Sequence, residues 1–406
     1  MIPRSCLAPI ALFAVSLVLA AAVAAPPDSL VSALAEGRFS FNGRLRWEEA
    51  RQSNLEQADA FTLRSRLGYT SAVLAGFQGM IEGESIVSLG AADRYNAAGT
   101  NAGGAGRAVI ADPVATDFNQ AWLSYANSGA TLKVGRQRLV LDNARFIGDS
   151  GWRQNMQTFD AATVTGQPAA AVSLFYGYVG RVNRVFGDKA PQRDFKGDAH
   201  LLNASYGGWS AGRFTAYAYL FDFDNAAASS SDTVGLSFAG ARPVTPAGKL
   251  TYRVEYATQE DAGRNPVRYR ADYRLVELGA SIKPFDFAAG YEVLGSDGGR
   301  KGFATPLATL HAYDGWADLF LNTPAAGLRD RSLSAGVALP GGFPVKIVYH
   351  DFRSDAGGFD YGTEWDAQIA HTFAKRWVVL AKVAHYEAGG PFFDTDRFWL
   401  QTEFTF

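Results

Sequence analysis

Apolar and polar residues alternate with a period of two along almost the whole chain, and that period belongs to strands with one apolar face. Phe39, Phe41, Gly43, Leu45 and Trp47 alternate with Arg38, Ser40, Asn42, Arg44 and Arg46. Phe61, Leu63, Leu67 and Tyr69 alternate with Thr62, Arg64, Arg66 and Thr70. The pattern returns at 250–256, 269–275 and 398–406. In the stretch 269–275, Tyr269, Ala271, Tyr273 and Leu275 form the apolar phase and Arg268, Arg270, Asp272 and Arg274 the polar one.

A soluble sandwich and a transmembrane barrel share this alternation, and segment length separates them. The segments run to about 9–13 residues, as a tilted strand crossing a bilayer requires, whereas soluble strands average about 5–6. Aromatics gather near segment ends, where the interfacial girdles of a barrel lie. The fold class expected is therefore all-β, a transmembrane antiparallel β-barrel. Short connections fall near 74–76, 127–130, 167–170, 207–211, 243–248, 283–284, 340–344 and 373–375. Long ones fall near 51–59, 90–117, 140–157, 179–197, 224–232, 259–266, 295–329, 354–360 and 388–394. Together they predict about 18 strands, starting near residue 37, with both chain ends on the short-turn side. Gly315, Pro324 and Gly327 mark 312–320 as loop rather than a further strand.

The first residues read as a secretory leader: Arg4, an apolar run over 7–23, and the small-x-small site Ala22-Val23-Ala24. The expected organisation is a signal peptide over 1–24 and one outer-membrane barrel domain over 25–406. Cys6 is the single cysteine, so a mature chain has no disulfide framework and no cysteine zinc cluster. A net charge of −2 gives no electrostatic footprint for nucleic acid. The terminal Phe406 resembles the signal read by the outer-membrane assembly machinery.

Catalytic motifs fail on context. Gly208-Trp209-Ser210-Ala211-Gly212 matches G-x-S-x-G, but strands flank it where a nucleophile elbow needs a following helix. Gly148-Asp149-Ser150-Gly151 lacks companion His and Asp motifs. The five histidines show no H-x-x-x-H spacing, so no metal and no cofactor is expected. A barrel-embedded lipid hydrolase with a Ser or Asp beside His350 or His385 is the enzymatic alternative; the principal reading is a non-enzyme.

Arginine outnumbers lysine 29 to 9. Arg44, Arg46, Arg64, Arg66, Arg253, Arg268, Arg270, Arg274 and Arg397 lie on the polar phase, which in a barrel faces the lumen. A guanidinium is a permanent cation and a planar fork for carboxylates, so a lumen lined with it selects anions. The competing reading is a set of structural ladders. A symmetric turn near 74 sets Arg66 against Glu82 and Arg64 against Glu84; a symmetric loop near 55 sets Arg46 against Arg64 and Arg44 against Arg66.

Three further stretches carry a resemblance: Val134-Gly135-Arg136-Gln137-Arg138, then Leu141-Asp142-Asn143-Ala144-Arg145-Phe146-Ile147-Gly148, then Gly151-Trp152-Arg153-Gln154-Asn155-Met156-Gln157-Thr158-Phe159-Asp160-Ala161. With Asp314-Gly315-Trp316-Ala317-Asp318-Leu319-Phe320-Leu321-Asn322-Thr323-Pro324 and Gly327-Leu328-Arg329-Asp330, they resemble the alginate-export family of outer-membrane proteins. The resemblance implies an 18-stranded barrel and an arginine-rich pore for a polyuronate. It carries over Arg136, Arg138, Arg145, Arg153 and Asp160 as pore residues. The phase of Leu132 and Val134 sets Arg136 on the lipid face unless a bulge intervenes, and leaves Arg138 equally open. The 152–160 run is read either as substrate-facing or as a loop that narrows the barrel.

The function expected is an outer-membrane channel of a Gram-negative bacterium passing anionic solutes, alginate-like polyuronates among them. The alternatives are a general diffusion porin with structural Arg–Glu ladders, the lipid hydrolase, and a structural or adhesive barrel with a plugged lumen. Expected partners are outer-membrane lipid and lipopolysaccharide, the assembly machinery through Phe406, and an anionic saccharide or small anion, with no nucleic acid.

Overall fold

The computed structural model describes residues 27–101, 103–246 and 248–406, so the leader expected over 1–24 lies outside the described residues. A short helix, α1 (Leu30–Ala35), precedes eighteen strands. These are β1 (Arg38–Gln52), β2 (Ala58–Thr70), β3 (Phe77–Ser88), β4 (Ala115–Ala126), β5 (Ala130–Gln137) and β6 (Thr158–Ala169). Then come β7 (Val172–Asn183), β8 (Asp194–Trp209), β9 (Gly212–Phe223), β10 (Ser231–Thr245), β11 (Gly248–Asp261) and β12 (Arg270–Ile282). The last six are β13 (Phe285–Leu294), β14 (Leu328–Leu339), β15 (Phe343–Arg353), β16 (Asp360–Phe373), β17 (Trp377–Ala388) and β18 (Thr395–Thr405).

Each strand pairs antiparallel with its sequence neighbours, and β1 closes on β18 through eleven residue pairs, from Asn42↔Thr405 to Gln52↔Thr395. Closure removes the two free edges that an open sheet would expose. The expected fold class, strand count and short–long alternation all hold. Both ends of the barrel chain lie on the short-turn side, where Arg38 pairs with Thr70 at the start of the β2–β3 turn. No helix among the described residues is long and apolar enough to cross a membrane; the strands do the spanning.

The outer face carries an apolar band between two aromatic rims. Leu278, Ala289, Leu333, Tyr349 and Trp365 are successive register neighbours facing outward across β12 to β16. Near the short turns Phe39 packs on Tyr69, Phe77 on Tyr125, Trp209 on Phe214, and Trp377 on Phe404. Near the long loops Trp47 packs on Phe398.

The inside is not an open tube. Loop 138–157 and loop 295–327 fold inward, and their Phe146, Ile147, Phe303, Leu307, Trp316 and Phe320 join Tyr217, Tyr219, Tyr273 and Phe352 of the wall in one buried cluster. Loop 89–114 sets Tyr95, Ala97, Ala108 and Ile110 against Ala50, Ala58 and Ala60 of β1 and β2.

That filling corrects the expected phase of one segment. Tyr269, Ala271 and Tyr273 point into the buried cluster, so Arg270 and Arg274 point out, and Arg268, just before the strand, is also exposed. Alternation identifies two faces without saying which one meets lipid. Where inward loops make the lumen apolar, the apolar phase belongs inside.

Two expected registers also shift by two residues. Arg66 lies opposite Glu84 rather than Glu82, and Arg64 opposite Ile86 rather than Glu84. Across the first long loop Arg44 opposes Arg64, and Arg46 opposes Thr62. The β2–β3 turn is the physical cause of the first: it closes as a tight Leu74–Phe77 bridge, placing its centre beyond the symmetric position.

Candidate functional site: an arginine wall closed by inward loops

Strands β1, β2 and β18 place a set of arginines on one side of the lumen, because their even positions on β1 and β2 and odd positions on β18 point inward. Arg44, Arg46, Arg64, Arg66 and Arg397 are all buried there. The first four hold the backbone of loop 138–157, and Arg397 donates to Ala317 O and Val109 O of the other two inward loops. Arg44 Nη1 donates to the carbonyls of Gly151 and Trp152, both at 3.0 Å. Arg46 Nη2 donates to Trp152 O at 2.6 Å, with its guanidinium 4.2 Å from the centre of the Trp152 ring. Arg64 and Arg66 donate to Gln154 O at 3.4 and 3.2 Å.

Carboxylates thread through the same set. Glu48, fully buried, accepts from Arg397 at 3.0 Å and from Arg153 at 3.3 Å. Asp112 pairs with Arg46 at 3.2 Å and accepts from the Gln154 amide at 2.8 Å. Glu403 bridges Arg44 at 3.0 Å and Arg64 at 3.4 Å, which offsets the like charges set opposite each other by the register. Arg66 pairs with Glu84, and Arg153 also pairs with Asp318.

The adjoining sector of the lumen wall is acidic. Glu292, Asp330, Glu364 and Asp366 from β13, β14 and β16 are buried with Asp314 of loop 295–327. Arg145 reaches into them, 2.6 Å from Glu292 and 2.9 Å from Asp314, and His350 lies 2.8 Å from Asp330. Glu292, Asp314 and Asp330 bring carboxylate oxygens within 4.8 Å of one another. Gly315 has φ +84, and a Cβ there would strike the Glu364 carboxylate, so only glycine brings loop 295–327 this close to β16. The Ala317 amide then donates to Glu364 at 2.7 Å.

Between the two walls sits an aromatic box. The Trp152 ring stacks on His311 at 4.6 Å, and Lys382 Nζ lies 3.6 Å from the Trp316 ring centre and 4.3 Å from that of Trp152. His311 Nε2 lies 2.7 Å from Lys382 Nζ and His311 Nδ1 2.7 Å from Asp318. Burial pushes the His311 imidazole down to about 3. Burial also opposes the Asp318 carboxylate, but His311 and Arg153 hold it well below the usual range. The neutral ring therefore accepts from the lysine and donates to the carboxylate. Its folded value lies below the ordinary 6.5, so the stabilisation is complete above about 6.5 and is lost as pH falls toward 3. A proton added there faces Lys382 and Arg153. Acidification through that window is expected to lower the thermal midpoint of the refolded barrel, and His311→Gln to flatten the slope. A His311→Gln profile as steep as the native one would remove His311 as the titrating group.

The other expected site residues are placed as follows. Arg145 and Arg153 are buried in the inward loop. Arg253 faces the lumen and pairs with Glu255 at 2.7 Å and Asp142 at 2.5 Å. Arg138 follows β5, is partly exposed, and pairs with Asp149. Arg136 continues the outward phase of Leu132 and Val134, pairing with Asp160 at 2.7 Å; this pair lies on the outside of the wall rather than in the lumen. Arg268, Arg270 and Arg274 are likewise outside. Sequence reasoning did not single out Glu48, Asp112, Glu403, Lys382 or the acidic wall. The inward phase of β13 and β16 was the available signal for Glu292, Glu364 and Asp366. Among the described residues no serine hydroxyl hydrogen-bonds a histidine; His350 and His385 both face aspartates.

The fold is shared with solved outer-membrane proteins. OccAB3 of Acinetobacter baumannii is 14% identical, with a TM-score of 0.71, over 92% of this chain and 99% of that one. Pseudomonas aeruginosa OccK9 (OpdG) gives 13% identity and a TM-score of 0.73 over the same shares. Pseudomonas aeruginosa OpdK, solved with vanillate, gives 14% and 0.71, again over 92% and 99%. No curated protein sequence matches the chain. The family model described as alginate export matches residues 91–265. That match takes in the 134–161 motif and leaves the 314–330 stretch outside it. From the loop before β4 to the loop after β11, the chain carries the pattern of the alginate-export family, on the closed 18-stranded barrel of the outer-membrane porins.

Proposed function

We propose that the protein is an outer-membrane channel whose arginine wall guides anionic solutes, uronate-type saccharides among them, past loop 138–157. The observation that carries this reading is the row Arg44, Arg46, Arg64 and Arg66, each donating to a backbone carbonyl of residues 151–154. A carbonyl is a weaker acceptor for guanidinium than a carboxylate or a sulfate is. An entering anion therefore competes for the same donors, and the adjoining acidic sector of β13 to β16 repels it. The vanillate of the OpdK structure is a carboxylate of the same general chemistry. In this reading the chain is exported through cleavage of its leader near residue 24, is inserted through its terminal strand, and performs no covalent chemistry.

A second reading has its own support: each lumenal arginine named here has a carboxylate or carbonyl partner, as a purely structural ladder would require. Planar-bilayer recording in a salt gradient separates the two. Anion-selective current that added oligouronate blocks is expected, and Arg44→Gln with Arg66→Gln is expected to move the reversal potential toward zero. Current without selectivity or block would make the chain a general porin.

A further inference from the structure

Arg274, displaced from the lumen, belongs to an outer patch with Arg329, Arg331 and Arg353. On the outer face Arg274, Val293, Arg329 and Arg353 are successive register neighbours across β12 to β15. One row nearer the short turns, Val276, Tyr291, Arg331 and Asp351 follow. The next row is wholly apolar or aromatic, Leu278 to Trp365, and belongs to the lipid band. The guanidiniums thus stand directly above the acyl region, at the long-loop end, at headgroup height.

Their pairing is incomplete. Arg331 and Arg353 share Asp351, at 3.5 and 3.3 Å, both longer than a strong charge-assisted bond. Arg329 takes Asp355 at 3.0 Å and Arg270 takes Glu260 at 3.2 Å. Arg274 engages no carboxylate among the described residues. It lines, with Arg270, Asp272, Gly295, Ser296 and Asp355, a polar hollow of about 190 Å³. The neighbouring outer face has the opposite sign: Asp198 opposes Asp222 across β8 and β9, and Asp232 opposes Glu260 across β10 and β11. A cationic sector therefore abuts an anionic one at the same rim.

We propose that the outer face of β12 to β15 is a docking surface for lipopolysaccharide, with the lipid A phosphates held by Arg274, Arg331 and Arg353 and the acyl chains lying on the row below. Phosphate offers these arginines the bidentate acceptor that their shared carboxylates do not. The outer leaflet presents that group on a lipid, next to the apolar band. The inference rests on the outer-membrane placement and not on conduction.

The test is native mass spectrometry of the refolded mature chain in detergent, titrated with bisphosphorylated lipid A or with its dephosphorylated form. Arg274→Gln, Arg331→Gln and Arg353→Gln together are expected to weaken lipid A binding by about tenfold, and Asp222→Asn with Asp232→Asn to leave it undiminished. Unchanged binding by the triple variant, or equal binding of dephosphorylated lipid A by the native chain, would overturn the proposal. Heat-modifiable gel mobility verifies that each variant is a closed barrel. A native barrel that retains lipid A without conducting anions would sink the channel reading alone.

Discussion

Arg46→Ala is expected to release loop 138–157 and raise single-channel conductance severalfold. The native guanidinium is fully buried and joins three parts of the lumen that are far apart in sequence: Trp152 O and Asp112 from two inward loops, and Gln401 from β18. It also lies against the Trp152 ring. Alanine leaves the Asp112 carboxylate buried with its counter-ion gone, a defect that typically costs about 3–5 kcal/mol. The cheapest repair is for loops 89–114 and 138–157 to move into water, since nothing covalent retains them. The eighteen-strand ladder does not depend on this residue, so heat-modifiable mobility is expected to persist. Conductance unchanged in the variant would mean that Arg44, Arg64 and Arg66, with the aromatic packing of Phe146 and Trp152, hold the loop without Arg46.

Glu48→Gln is the second change with a large expected effect, and its sign on selectivity is opposite to that of removing an arginine. Glu48 is the shared acceptor of Arg153 and Arg397, with Arg46 at 4.0 Å. An amide of the same shape leaves three buried guanidiniums with one carboxylate fewer. About 3–5 kcal/mol of stability is expected to be lost, and the barrel's thermal midpoint in detergent should fall. The surviving barrel should show stronger anion preference and tighter oligouronate block, because the unneutralised cations attract a mobile anion in place of the fixed one. High concentrations of a small multivalent anion such as sulfate should restore the midpoint. A variant with lowered anion preference would mean that the arginine wall lies off the conduction path.

The turns were legible because each short one except 373–375 interrupts two alternating segments with Gly, Pro, Asn or Lys-Pro, and an even number of crossings is imposed by the membrane. The inward phase of Arg44, Arg46, Arg64, Arg66, Arg253 and Arg397 was legible for the same reason: Trp47, Phe61, Val254 and Phe398 flank them on a face that must meet lipid. The phase of Arg270 and Arg274 was not. Tyr269 and Tyr273 look like lipid-facing aromatics, and only the inward folding of Phe146 and Phe303 gives them an apolar interior to enter. The partners of the arginine wall were equally out of reach. Arg44 and Glu403 are 359 positions apart, and Arg397 and Glu48 are 349 apart. Such pairs exist only once the sheet has closed and the loops have turned in. Arg136 was readable from Leu132 and Val134 as an outward residue, and its salt bridge to Asp160 follows from their register.

The pairing of β1 with β18 has a consequence for the life of the polypeptide. Eleven residue pairs join the first strand to the last, and Phe406 itself exchanges backbone hydrogen bonds with Phe41. The first strand's partner is thus made last, so a chain cut short during synthesis, or clipped within its final hairpin, keeps a bare edge on β1 and lacks the residues that would cover it. Contacts this remote are also the slowest to form. Completeness is therefore checked by the geometry of the seam itself: only an intact chain can hide all of its backbone from lipid, and a defective one stays recognisable by the strand it cannot close.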